Sequence, residues 1–447
     1  MSAAETTVAP SSPQAAPARF RPKWYQFSLK SLTIFMIVCS VLFGGFTWRL
    51  QRAKKQAKAV ATIRAQGGAV SYDFALEKDE HGLFDVKKGV AASPIPSLLR
   101  KLLGEDFFHE VYGVHHAGNP PATQQELDTA WNAIGTFPHL KSLQIAGRGA
   151  VKGGTSHSPG IQNLAKTPEL QQLLIDYGKT EAQDLKVIGG LSHLQELKGW
   201  GVDFDDAALE SMANLQQLRV LEIRAPKASK RGAVAISKLQ NLEELQLHSC
   251  SFGDAEAIPL ASLSKLKRLT LANSQIGDRG LESIAKLQAL EWIDLPDAPV
   301  RDQGMDSLCQ LPKLYYVNLI RTGITNVGLR KLGKAKSIRH LAVDQTQIDD
   351  DGLGALEDFR SLTDFDICWN PITDRGMAQA RLPSSLKRLG MRETKITDRG
   401  LKSLEKLASL QVLDVQGSEV TSVGAAELMK SLPACRVMFA PPTKKLK

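Results

Sequence analysis

The sequence predicts an α/β solenoid: a parallel β-sheet on a concave face, helices on a convex face, and a single transmembrane helix ahead of them. Three observations carry this expectation. A 24-residue period runs through most of the chain. Within each period the apolar spacing changes from that of a strand to that of a helix. An uncharged run near the N-terminus is long enough to cross a bilayer.

Stepping in 24s from Leu170 meets Leu194, Leu218, Leu242, Leu266, Leu290, Leu314, Ile338, Leu362, Leu386, Leu410 and Ala434, with no gap or insertion. Numbering each unit from that residue, positions 1, 4 and 6 are apolar, as in Leu410, Leu413 and Val415. Position 11 is Ile or Val, position 13 is usually Asp (Asp278, Asp302, Asp350, Asp374, Asp398), and position 15 is Gly (Gly280, Gly304, Gly328, Gly352, Gly376, Gly400, Gly424). Apolar residues follow at 16, 19 and 22, as in Leu401, Leu404 and Leu407. Alternation over positions 4–6 predicts a short strand with one buried face, and three-residue spacing over 16–22 predicts a helix burying one stripe. Thr or Asp at 12 or 13 is expected to cap that helix. The glycine leaves no side chain where neighbouring coils crowd. No such unit buries its apolar face alone, so units stack. A dozen strands spaced by roughly 4.8 Å make a sheet roughly 55 Å long.

This pattern, LxxLxLxxTxITDxGLxxLxxL, resembles the leucine-rich-repeat family, nearest to its 24-residue ITDxGL type. The resemblance covers residues 140–434, with degenerate units between Leu170 and Leu242, where Gly199 holds position 6 and Glu256 position 15. It implies a curved solenoid that binds partners on its concave strand face. From Leu140 to Leu170 the step is 30 residues, and the excess falls in a loop at 147–160, GRGAVKGGTSHSPG.

Ahead of the repeats, residues 1–18 are Ala-, Pro- and Ser-rich and are expected to be disordered. Residues 19–30 form a basic juxtamembrane segment, and 31–48 are uncharged, with Trp24, Tyr25 and Trp48 at the edges. No small-residue cleavage site follows, so the run reads as an anchor rather than a cleaved signal. Four basic residues precede it and six follow as far as Arg64, which leaves its sidedness undetermined. Residues 49–66 read as a basic juxtamembrane helix ended by Gly67-Gly68, able to touch anionic headgroups. Residues 67–139 supply an N-terminal cap and divergent repeat, with a helix then a strand at 98–114, and 435–447 form a C-terminal tail. QFSLKSL, AVATIRAQGGAVSYDF and LLGEDFF, together with the anchor and repeats, resemble membrane-anchored bacterial leucine-rich-repeat proteins.

The net charge of +9 is a property of the N-terminus, not of the repeats. Residues 1–64 hold ten Lys or Arg and one acid, and the remaining charges balance. Nucleic-acid binding needs clustered positive charge on the folded part, which this distribution does not offer. Five cysteines without a CxxC pair argue against a disulfide framework or zinc spacing and read as buried apolar residues. No HExxH motif is present, and one Asp per coil is too few ligands for a calcium ladder, so no metal or cofactor is expected.

Side chains at positions 3, 5, 7 and 8 point away from the core and line the concave face. The candidate partner-binding residues are Trp292, Asp294, Tyr316, Asn318, Arg321, His340, Asp344, Asp366, Trp369, Arg388, Arg392 and Asp414, with Glu393 beside them. Exposed aromatics among Arg and Asp have the composition of an interface hot spot. Asp294, Asp366 and Asp414 share position 5, but Asn318, Ala342 and Gly390 interrupt them, and an open face lacks the cleft of a carboxylate-pair hydrolase. The expected function is therefore a membrane-anchored, non-catalytic module for protein–protein interaction. Its partners would be a protein and, through 31–48, the lipid bilayer, with no nucleic acid and no small-molecule substrate. A carbohydrate or cell-wall binder would use the aromatics as stacking platforms. An adaptor of a ubiquitin-ligase-like assembly would need an F-box-like module where the anchor stands.

Overall fold

Repeating the same apolar positions every 24 residues makes each coil offer its neighbour the same surface, and the chain satisfies this by stacking coils edge to edge. The computed structural model describes residues 29–78, 84–86, 93–118, 124–147, 159–176 and 184–440. The expected disorder at 1–18, the basic segment before residue 29, most of the inserted loop (148–158) and residues 441–447 lie outside the described residues.

The chain divides into two compact units, Met1–Ala53 and Lys54–Lys447. In the first, the described residues are the opening turns of helix α1 (Leu29–Ala65), which displays Ile34, Phe35, Ile37, Val41, Leu42 and Phe43 outward. Thr33 and Ser40 donate their hydroxyls to the carbonyls of Leu29 and Met36, each at 2.8 Å, so these polar groups are satisfied within the helix. Among the described residues α1 is the one helix long and apolar enough to cross a membrane.

In the second unit the main sheet runs through fifteen strands among the described residues. Its first strand, β1 (Ala69–Tyr72), pairs antiparallel with Val111–Gly118, and all later pairings are parallel, in chain order, to Arg436–Met438. Leu269, Ile293 and Val317 lie in register on neighbouring strands, fully buried. Each such side chain contributes about 1.5–3 kcal/mol over leaving it in water. The last strand extends the sheet past residue 434. Cys435 is buried against it, and the segment expected as a tail begins in the sheet.

The helices begin and end about one turn earlier than the 16–22 spacing suggests. Asp278–Ile284 and Asn326–Leu332 are single short α-helices covering positions 13–19, and Asp350–Asp358 is a 3-10 helix. Position 22 falls in the following turn yet stays buried, as at Leu287. Position 12 caps the helix as expected: Thr373 and Thr397 accept from the N–H groups of Arg375 and Arg399, each at 3.2 Å.

Position 13 does something other than cap its own helix. Asp374 accepts the backbone N–H of Thr397 (2.8 Å) and its hydroxyl (2.7 Å), one coil further on. Asp302 with Thr325, Asp350 with Thr373, and Asp398 with Thr421 repeat the arrangement. The position-15 glycine is explained by the same carboxylate. A Cβ at Gly400 would sit 2.6 Å from Asp374 Oδ1, and one at Gly424 2.1 Å from Asp398 Oδ1. Aspartate and glycine thus form one inter-coil joint. Burial alone would raise Asp350, but Thr373 and Arg375 hold its carboxyl below the usual carboxylate range.

The cap at the N-terminal end is built largely from the last turns of α1. Gln56, Ala59, Val60 and Ile63 are buried at helical spacing, while Lys54, Lys55, Lys58 and Arg64 stay exposed. Residues 49–66 are therefore more than a basic flank, since the part from Gln56 on covers the first coil. Gln56 Nε2 donates to Asp106 Oδ1 (3.1 Å) and to the His109 carbonyl (2.8 Å). The amides of Gly67 and Gly68 bond back to the carbonyls of Arg64 and Ile63, with Gly67 at φ 78, closing α1. The helix then strand expected at 98–114 is present as α2 (Ser97–Leu103) and the strand opening at Val111.

Candidate binding face

Strand alternation puts positions 4 and 6 inside and leaves positions 3, 5 and 7 to form the other face of the sheet. All twelve expected residues lie on consecutive coils of this face or at its rim.

Position 3 forms a continuous column. Arg268, Trp292, Tyr316, His340, Asp364 and Arg388 are successive register partners. The Arg268 guanidinium lies 4.3 Å from the Trp292 ring centroid and pairs with Glu244 at 3.6 Å. Trp292 and Tyr316 stack with their planes 4° apart and centroids separated by 3.2 Å. His340 leans on Tyr316 at 6.1 Å, and its Nδ1 meets Asp364 Oδ2 at 3.1 Å. Both outer ring faces of the Trp–Tyr pair therefore have protein neighbours. Sequence reasoning missed Glu244, Arg268 and Asp364, although the 24-residue step from Trp292 leads to each.

Position 5 is the more deeply set column. Asn318 bonds the Asp294 carboxylate, whose Oδ1 is buried without a partner, and burial pushes Asp294 up. Asp366 is also raised by burial, although Arg388 pairs with it at 3.3 Å. Asp414 meets Arg392, from position 7, at 3.6 Å. At position 7, Asp344 Oδ1 accepts the Cys368 amide at 2.7 Å, and burial pushes its carboxyl up to about 6. Burial pushes Tyr316 up as well, helped by Asp294 and Asp366. The Cys368 thiol, pushed up by burial to about 12, stays protonated and unreactive.

Position 8 has a structural cause that the period alone does not reveal. Ser249, Asn273, Asp297, Arg321, Gln345, Trp369 and Glu393 all have φ between 50 and 62, in the left-handed region. This residue turns the chain out of the strand. At position 9, Thr322 and Thr394 then donate their hydroxyls to the position-6 carbonyls of Leu319 and Met391 (2.7 and 2.8 Å). Arg321 and Trp369 thus stand at the rim. Arg321 forms a two-pronged pair with Asp297, while Trp369 is 48% exposed with Arg392 6.0 Å from its ring. Asn273 and Asp297, types that tolerate this backbone, were the available signal.

One other constellation has the distances of a proton relay. His109 Nδ1 lies 2.8 Å from Asp73 Oδ1, and its Nε2 lies 2.9 Å from Ser93 Oγ. The ring is 6% exposed and packs 4.4 Å from Phe74. Ser93 Oγ also accepts the Ile95 amide, and the described cavities do not include these residues. Its role is to clamp β1, the segment before α2 and the strand after it.

A family model described as a leucine-rich repeat region matches residues 133–428. The chain belongs to the leucine-rich-repeat family. Among solved structures it is similar to an internalin of Listeria monocytogenes, with a TM-score of 0.52 and 18% identity, covering 76% of this chain and 92% of that one. It is also similar to a leucine-rich-repeat protein of Leptospira interrogans, with a TM-score of 0.41 and 16% identity over 72% of this chain and 95% of that one. No curated protein matches it. At these identities the likeness shows the fold alone. Leucine-rich-repeat proteins are in general interaction modules rather than catalysts.

Proposed function

We propose that this leucine-rich-repeat protein is held at a membrane by the apolar part of α1 and binds another protein, without catalysis, on the concave face between coils 290 and 410. The observation that supports this most is the position-3 column. Six side chains from Glu244 to Asp364 brace one another along the solenoid, so the surface is ordered before a partner arrives. Ordered aromatics and arginines lose little entropy on binding, which suits a hot spot. The column also argues against the carbohydrate reading. A sugar stacks on an open ring face, whereas Trp292 and Tyr316 each cover one face of the other. An anchored solenoid gains effective concentration toward membrane-associated partners.

The double substitution Trp292→Ala and Tyr316→Ala tests this, with co-purification from mildly solubilised membranes as the readout. Recovery of the partner should fall at least about tenfold, the scale of a lost hot spot. The exposed convex-side change Val327→Ala should leave it unaltered. Unchanged recovery with the double variant, its fold intact by circular dichroism, would move the binding site elsewhere.

A further inference from the structure

Helix α2, SLLRKLL, lies ahead of the repeats and buries none of its seven residues. Leu98, Leu99 and Leu102 are 66%, 42% and 70% exposed, three leucines within one and a half turns. Among other exposed large apolar residues on the described coils, Val234 and Ile258 share one position on adjacent coils and Val327 stands apart, so none forms three within a single helix. Yet α2 is firmly held. Arg100 Nε donates to the Ile95 carbonyl at 3.1 Å, and its Nη1 pairs with Glu105 at 3.4 Å. The segment leading into α2 is fixed by Ser93 on His109. The chain therefore spends polar contacts to hold a leucine face outward.

The loop after α2 is bonded to Gln56 through Asp106 and the His109 carbonyl. Gln56 stands eight residues after Trp48, where the uncharged run ends. Eight residues span at most about 28 Å even fully extended, so the cap is tethered close to any bilayer the run crosses. The surrounding charge suits an anionic surface. Lys101 lies in α2, and Lys54, Lys55 and Lys58 are exposed on α1. The nearby acids are engaged, Glu105 by Arg100 and Asp106 by Gln56 and Tyr72.

We propose that α2 is an interfacial foot, whose Leu98, Leu99 and Leu102 enter the headgroup–acyl boundary of an anionic phospholipid bilayer. A short helix with leucines on one side and basic residues beside them binds such a boundary by apolar burial and charge together. The foot adds a second attachment point to the membrane. This inference rests on the reading of α1 as a membrane anchor.

The test uses the full chain in nanodiscs of phosphatidylcholine and phosphatidylglycerol, in a Cys39→Ser, Cys309→Ser background. Single NBD labels are placed through Leu102→Cys, Phe46→Cys or Val327→Cys, and quenching by brominated-acyl lipids is read. Labels at 102 and 46 should be quenched by half or more, and the label at 327 should not. Quenching at 46 without quenching at 102 overturns the foot and leaves the anchor standing. No quenching at 46 removes the anchor and the foot with it. A blue-shifted label at 102 that brominated lipid does not quench is covered by protein, a second copy or a partner, and overturns the proposal too.

Discussion

At the scale of single residues, the carboxylates of this protein do two opposite kinds of work. The position-13 aspartates join coils. Asp374→Ala removes two charge-assisted hydrogen bonds and should cost about 2–3 kcal/mol. Gly400→Ala forces a Cβ against the same carboxylate and should cost about 1–3 kcal/mol. Because the two changes act at one joint, the double variant should cost clearly less than the sum, as urea unfolding would show. Additive losses would mean the joint is not shared. Asp344 works the other way. Burial raises its folded pKa to about 6, above the unfolded value. The fold therefore prefers the neutral acid: no penalty applies below the unfolded pKa, and the full penalty applies above about pH 6. Asp344→Asn should then stabilise the protein by about 1 kcal/mol at pH 7.5, after allowing for solvent screening, and change little at pH 4. Thermal melts at the two pH values decide this. A carboxylate kept at such a cost on the concave face is what a binding surface trading stability for contact would hold.

Among the elements, strands were the most legible from sequence and helix ends the least. Strand alternation needs only three positions, and Leu269, Ile293 and Val317 took their places in register. The partner of Asp374 was not legible, because a bond to the next coil is a property of two repeats, and the spacing inside one coil cannot reveal it. That position 8 turns the chain out of the strand was hidden for a similar reason. Its left-handed backbone is set by the turn, and Arg321 or Trp369 carries no mark of it. The docking of α1 was hidden because its buried stripe is Gln56, Ala59, Val60 and Ile63, with small residues and lysines masking the period. Ile63, fully buried, should carry much of that cap. Ile63→Ala should cost about 2–4 kcal/mol and raise amide exchange first in β1 and Val111–Gly118, not in the C-terminal coils.

For the molecule as a whole, a solenoid's stability is a sum of coils and of the interfaces between neighbours. That additivity is why the fold could be read from periodicity and why the concave face could be read only in part. The column Arg268–Trp292–Tyr316–His340–Asp364 exists because unrelated side chains fall one coil apart. The sequence shows their order but not their stacking. The most direct measurement of the central claim is a photo-crosslinking scan in native membranes. Benzoylphenylalanine is placed in turn at His340, Asp364 and Arg388 on the concave face and at Ile258 and Val327 on the convex side. Adducts with one protein from all three concave positions and neither convex position are the predicted result. Adducts confined to Ile258 and Val327 would contradict it.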